Sequence, residues 1–173
     1  MKWLLIIAVI KLALFVFFAI QFKLYAKEGL VTSNIVVEQA DSQSYYNPSE
    51  TFVQTGDYPG MCRMPGLTPI FSIYSFCFGK QAALVGVVIT QWLFSVLSVL
   101  LLAIVASRLI AHKRAFPVVA LLYALSSFVS IWDHTILSDS FSASFLIIAL
   151  YFLTEFVIRN HWKYLLLAGF WLT

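Results

Sequence analysis

Four uninterrupted apolar runs, at residues 3–22, 82–106, 116–132 and 141–158, constrain this chain before any single residue is considered. Each reaches the roughly 17 to 25 residues that an α-helix needs to cross a hydrocarbon core. Inside lipid every backbone polar group must find its partner within the protein, which a helix achieves on its own. A fifth run begins at residue 164 and ends at Thr173; at about 1.5 Å per residue it reaches only halfway through a bilayer. The expected fold is an all-α polytopic membrane protein with four full transmembrane helices and a truncated fifth. Residues 1–173 are expected to be the N-terminal part of a larger transmembrane domain. Composition agrees, with 61% hydrophobic and 11% charged residues and a mean hydropathy of +0.90, whereas a soluble domain carries about a quarter of its residues charged. The first run exceeds the ~7 to 15 apolar residues of a signal peptide and no small-residue cleavage pattern follows, so it is read as a retained helix.

Orientation comes from the short loops. Residues 107–115 hold Arg108, Lys113 and Arg114, and residues 159–163 hold Arg159 and Lys163, whereas residues 133–140 hold Asp133 and Asp139 without lysine or arginine. Positive residues concentrate on the cytoplasmic side, which puts the N-terminus inside and a long first loop, 23–81, outside. Seven of the eight acids then fall outside, and Glu155 alone lies within a span. The net charge of +3 is accounted for by these loops, so no nucleic-acid partner is called for; the partners implied are membrane lipids. Within the outer loop, residues 28–58 are polar and rich in turn formers, with Asn47, Pro48, Gly56 and Pro59. Residues 67–78 are apolar and aromatic, too short to span, and are expected to form a helix lying in the membrane interface.

This topology puts Asp41 and Asp139 on one outer face. Around them stand Tyr45, four residues after Asp41, then G-D-Y at 56–58, R-x-P-G at 63–66, F-G at 78–79, a span bearing Gln91, and I-L-S-D-S at 136–140 opening the fourth span. In this order and placement the chain resembles the N-terminal part of the GT-C superfamily of membrane glycosyltransferases, closest to the protein mannosyltransferase and aminoarabinose transferase branch. The resemblance implies a polyprenyl-phosphate sugar as donor and a protein or glycolipid as acceptor. It also implies a catalytic acid in the first outer loop, matched by Asp41, and a second acidic position matched by Asp139. Arg63 matches the arginine of the R-x-P-G motif, although here Leu67 and Thr68 push the following proline to Pro69. The membrane expected is a bacterial plasma membrane, with transfer on its outer face.

The chemistry makes separate sense of these residue types. Moving a sugar from a lipid phosphate to a hydroxyl needs one base, because phosphate leaves without a proton; Asp41 is the candidate. A guanidinium holds the departing phosphate through paired hydrogen bonds, the role expected of Arg63. Asp139, flanked by Ser138 and Ser140, is open to two readings: helix N-cap, or acceptor and divalent-metal binding through hard oxygen ligands. Asp41 shares the metal candidacy; no other cofactor is implied. Tyr45 and His134 complete the candidate substrate-binding set, with an interfacial position as the plainer reading of His134.

Lys11 lies near the middle of the first span and is expected to face protein or water, since a lone cation there costs about 2.5 to 3.5 kcal/mol. It and Glu155 both fall toward the cytoplasmic half, where they could pair or Lys11 could snorkel. Cys62 and Cys77 both fall outside, where an oxidising compartment permits a bridge. The competing reading is a non-enzymatic polytopic protein, such as a small subunit or a lipid-linked-sugar translocation factor, whose outer acids are solvated loop residues.

Overall fold

The computed structural model describes residues 2–25, 31–33, 35–38, 41–58 and 67–172. The first apolar run forms α1 (Lys2–Tyr25). Leu5, Val9, Phe17 and Ile20 face outward, while Ile7 and Lys11, one turn apart, are fully buried. A short antiparallel hairpin, β1 (Val31–Ser33) with β2 (Val36–Val37), leads to α2 (Ser42–Thr55).

The residues expected to lie in the interface form α3 (Thr68–Phe78), from which Ile73, Phe76 and Phe78 project outward while Phe71 enters the core. Gly79 turns the chain from α3 into α4 (Lys80–Ile110). Its backbone (φ 81°, ψ 169°) is one that only glycine adopts at no steric cost. Its N–H closes α3 on Ser75 O and its C=O accepts from Ala83 N at the start of α4. The two helices then approach closely at Gly86, where an added methyl carbon would stand 2.7 Å from the Tyr74 ring.

Of the apolar runs, three give helices long and apolar enough to cross a membrane: α1, α4 and α7 (Asp139–Arg159). The run at 116–132 differs from the single straight crossing expected of it. It divides into α5 (Ala115–Ala124) and α6 (Ser127–Trp132), separated by Leu125 and an extended Ser126 (ψ 104°). Serine hydroxyls compete with the helical ladder for backbone groups, and two consecutive serines sit at this point. Anchoring at both ends requires the same departure from a straight course. Trp3 meets Phe116 ring to ring, and Lys11 meets Ser130 and Asp133. From Trp3 to Lys11 α1 rises about 12 Å, whereas a straight helix from Phe116 to Ser130 would rise about 21 Å.

The final run gives α8 (Trp162–Leu172), whose Trp171 joins Phe94 and Phe145 in an aromatic cluster with ring centroids 5.0–5.9 Å apart. Near the C-terminal ends of α4 and α7, Arg108 and Arg159 both pair with the buried carboxylate of Glu155. The two basic loops therefore lie at one end of the bundle. The start of α7 and the start of α4, where Lys80 pairs with Glu50 of α2 at 2.7 Å, lie at the other.

Candidate active site

The end opposite the basic loops holds the start of α7 and, through the Lys80–Glu50 pair, helix α2. Asp41 is the N-cap residue of α2 and is exposed, and its carbonyl accepts from Ser44 N at 3.0 Å and Ser44 Oγ at 2.7 Å. One turn into the helix the two tyrosines part company. Tyr46 turns inward and stacks on Phe71, with its hydroxyl donating to Glu38 at 2.9 Å and Lys80 lying over its ring. Burial first, and then Glu38, push that hydroxyl up to about 12, so it stays a neutral donor at physiological pH. Tyr45 turns the other way, and its hydroxyl meets Ser138 Oγ at 3.3 Å. Ser138 is the N-cap residue of α7 and Asp139 the first residue of that helix. The Tyr45–Ser138 contact links the first turn of α2, which follows Asp41, to the residue that precedes Asp139. Asp139 is exposed, at a position where the helix dipole favours a negative charge.

The turn that delivers Asp139, residues 133–138, is no solvated loop. Asp133, His134, Thr135, Ile136 and Leu137 are all buried, so Asp133 is not a solvated acid of the kind the non-enzymatic reading supposes, whereas Asp139 is exposed. Asp133 Oδ2 receives Lys11 Nζ at 2.8 Å, Lys11 also reaches Ser130 Oγ at 2.9 Å, and Ser140 Oγ donates to Asp133 Oδ1 at 2.8 Å. Lys11 thus faces protein, as expected, but its partner is Asp133; Glu155, the other charge within a span, pairs instead with Arg108 and Arg159. His134 Nδ1 and Nε2 lie 2.9 and 3.0 Å from Ile35 O and Phe15 O, and its ring stacks on Phe15. With both nitrogens occupied by main-chain oxygens, His134 here joins α1, the 35–38 segment and the turn. Phe15 lies ten residues before the end of α1 at Tyr25, so the turn sits about 15 Å below that end.

Strand β2 and helix α4 hold the same turn. Val37 N donates to His134 O at 2.9 Å and Val37 O accepts from Ile136 N at 3.2 Å. From α4, Gln91 Nε2 donates to Thr135 O at 3.1 Å and to Leu137 O at 3.0 Å. Sequence reasoning noticed Gln91 and Lys11 as polar residues inside spans but assigned neither to this turn. The one signal was that an intramembrane polar group needs a partner, which does not say where the partner is. Arg63 and Cys62 lie outside the described residues; Cys77 is exposed on α3. Among the described residues no group of three or more His, Cys, Asp or Glu is arranged to hold a metal.

A bundle of membrane-length helices with arginines gathered at one end and a braced, acid-bearing helix start at the other defines an integral membrane protein with a polar site at one end. Residues 72–173, more than half of the chain, match the dolichyl-phosphate-mannose-protein mannosyltransferase family. The chain belongs to that family of GT-C membrane glycosyltransferases. The match contains Gln91, the 133–138 turn and Asp139, and it begins after Asp41, Tyr45 and Arg63. No curated protein and no solved structure gives a significant match.

Proposed function

We propose that this protein is an inverting glycosyltransferase that moves a sugar from a polyprenyl phosphate to an acceptor on the outer face of a bacterial plasma membrane, with its N-terminus cytoplasmic. The observation that carries this reading is the Tyr45–Ser138 contact. It links the first turn of α2 to the N-cap residue of α7 at the end opposite the basic loops, which supports a site that draws on both candidate carboxylates. Family membership favours transfer over the non-enzymatic alternative.

In the proposed reaction the acceptor oxygen attacks the anomeric carbon as the bond from that carbon to the phosphate oxygen breaks. Asp41 takes the acceptor proton, and the lipid phosphate leaves as an anion that Arg63 holds. A single displacement inverts the anomeric centre. Asp139 orients the acceptor or, with Asp41, would hold a divalent metal whose charge would stabilise the departing phosphate, and Tyr45 ties α2 to the start of α7. The acceptor is a protein or a glycolipid.

Asp41→Asn tests this. Asparagine keeps the size of the side chain but cannot take the proton, and losing a general base costs about 10² to 10⁴ in rate. In proteoliposomes given undecaprenyl-phosphate-[³H]mannose, loss of label from the lipid phase should fall by that factor, with membrane insertion unchanged. Transfer at the wild-type rate would remove Asp41 from the mechanism.

A further inference from the structure

Gln91 stands in an apolar stretch of α4, is fully buried, and makes two hydrogen bonds, both to the turn that precedes Asp139. Two acceptors fix the orientation of its amide, because only the NH₂ group has two hydrogens to donate. The carbonyl oxygen is left without a donor among the described residues. An unsatisfied buried acceptor costs stability and offsets part of what the two donated bonds contribute to holding α4 against the turn. What the amide supplies is geometry. By capturing Thr135 O and Leu137 O, it fixes the carbonyls two residues apart that bracket Ile136, immediately before Ser138 and Asp139. The opposite side of the turn is held by Val37 and by the Lys11–Asp133–Ser140 chain.

We propose that Gln91 is a positioning residue for sugar transfer: its amide sets the 135–137 turn and thereby aims the Asp139 carboxylate and the Ser138 hydroxyl at the site shared with Asp41. This role rests on the transferase reading above. Gln91 touches no reacting atom, and its influence passes through the turn.

The test is a double-mutant cycle between Gln91→Leu and Asp139→Glu in the intact protein in proteoliposomes, with undecaprenyl-phosphate-[³H]mannose as probe. Leucine suits a membrane helix and removes both donors. Gln91→Glu keeps the shape and replaces the NH₂ by oxygen. A displacement of about 1 Å at a reacting group can cost 10²-fold, so both Gln91 variants should lower kcat by about 10- to 100-fold. The donor KM should stay at the wild-type value in both variants, and the fall in kcat should persist at temperatures well below the thermal midpoint of each. Because Gln91 acts through Asp139, the two changes should be non-additive, the Gln91→Leu loss shrinking by at least about fivefold when Asp139→Glu is already present.

Wild-type kcat in both Gln91 variants would overturn the proposal. So would a fall in kcat that tracks a lowered thermal midpoint, or strict additivity with Asp139→Glu. The transferase reading fails separately: if Asp41→Asn transfers at the wild-type rate, that reading is lost, whereas an inactive Asp41→Asn beside an unaffected Gln91→Leu sinks the positioning role alone.

Discussion

Lys11 shows what one side chain inside a membrane helix demands of its surroundings. Burying two charges is costly even when they attract, and a buried pair breaks even only with good geometry and further hydrogen bonds. Lys11 and Asp133 meet at 2.8 Å, with Ser130 and Ser140 supplying the rest. Removing one partner strands the other, so Lys11→Met should lower stability by about 3–5 kcal/mol. Lys11→Met combined with Asp133→Leu should recover most of that loss, as read by thermal unfolding in detergent. A single variant as stable as wild type would show that the pair contributes little. Asp139→Asn is the informative comparison for Asp41→Asn, because the sequence left Asp139 open to an N-cap reading, whereas the N-cap residue of α7 is Ser138 and Asp139 is the first residue of the helix. A purely structural charge at the helix start predicts normal transfer in Asp139→Asn with a small loss of stability, and an acceptor or metal role predicts a loss of tenfold or more.

At the scale of elements, the packing of α3 on α4 depends on a missing side chain. Gly86 lets the Tyr74 ring lie against the backbone of α4, with the Tyr74 hydroxyl reaching Thr90 Oγ1 at 3.1 Å. An alanine there would put a methyl carbon 2.7–2.8 Å from Cγ and both Cδ atoms of the ring. Turning the Tyr74 side chain about Cα–Cβ to clear Cγ would break its contact with Thr90, so either that contact or the placement of α3 must give, and overpacking of this kind costs about 1–3 kcal/mol. Gly86→Ala should therefore lower the thermal midpoint, and Gly86→Ala with Tyr74→Ala should lose less than the two single changes summed. Strict additivity would show that the contact is slack. The third apolar run is the converse case, where hydrophobicity marked a helical segment but did not determine its path. The break at Ser126 falls at a serine pair and goes with the anchoring of Asp133 on α1; the first is visible in sequence and the second is not.

The whole molecule separates charge by end, and this gives the topology its test. Arg108 and Arg159 converge on Glu155 at one end, while Lys80, Glu50, Asp41 and Asp139 belong to the other. A maleimide that cannot cross membranes should label a cysteine placed at Ser44 from the outside and miss one placed at Lys113. Labelling of both from one side would contradict an arrangement in which the basic loops and the acid-bearing helix starts occupy opposite faces.

The membrane class, the helical content and the separation of basic from acidic loops were determined by sequence alone. They depend on local composition against a fixed hydrocarbon thickness, and neither requires knowing which helix touches which. The candidate acids were picked out by their order along the chain, and a short apolar helix was legible at residues 67–78, where α3 forms. The surroundings of Asp139 were decided by tertiary structure. Lys11, Gln91 and Asp133 each had to find a partner, but the separations of 122 residues from Lys11 to Asp133 and 44 from Gln91 to Thr135 leave no periodic trace. A buried polar group announces that it must be satisfied; only the packing of α1, α4 and the 35–38 segment around one turn decides by what, because hydrogen bonding acts across space and not along the chain.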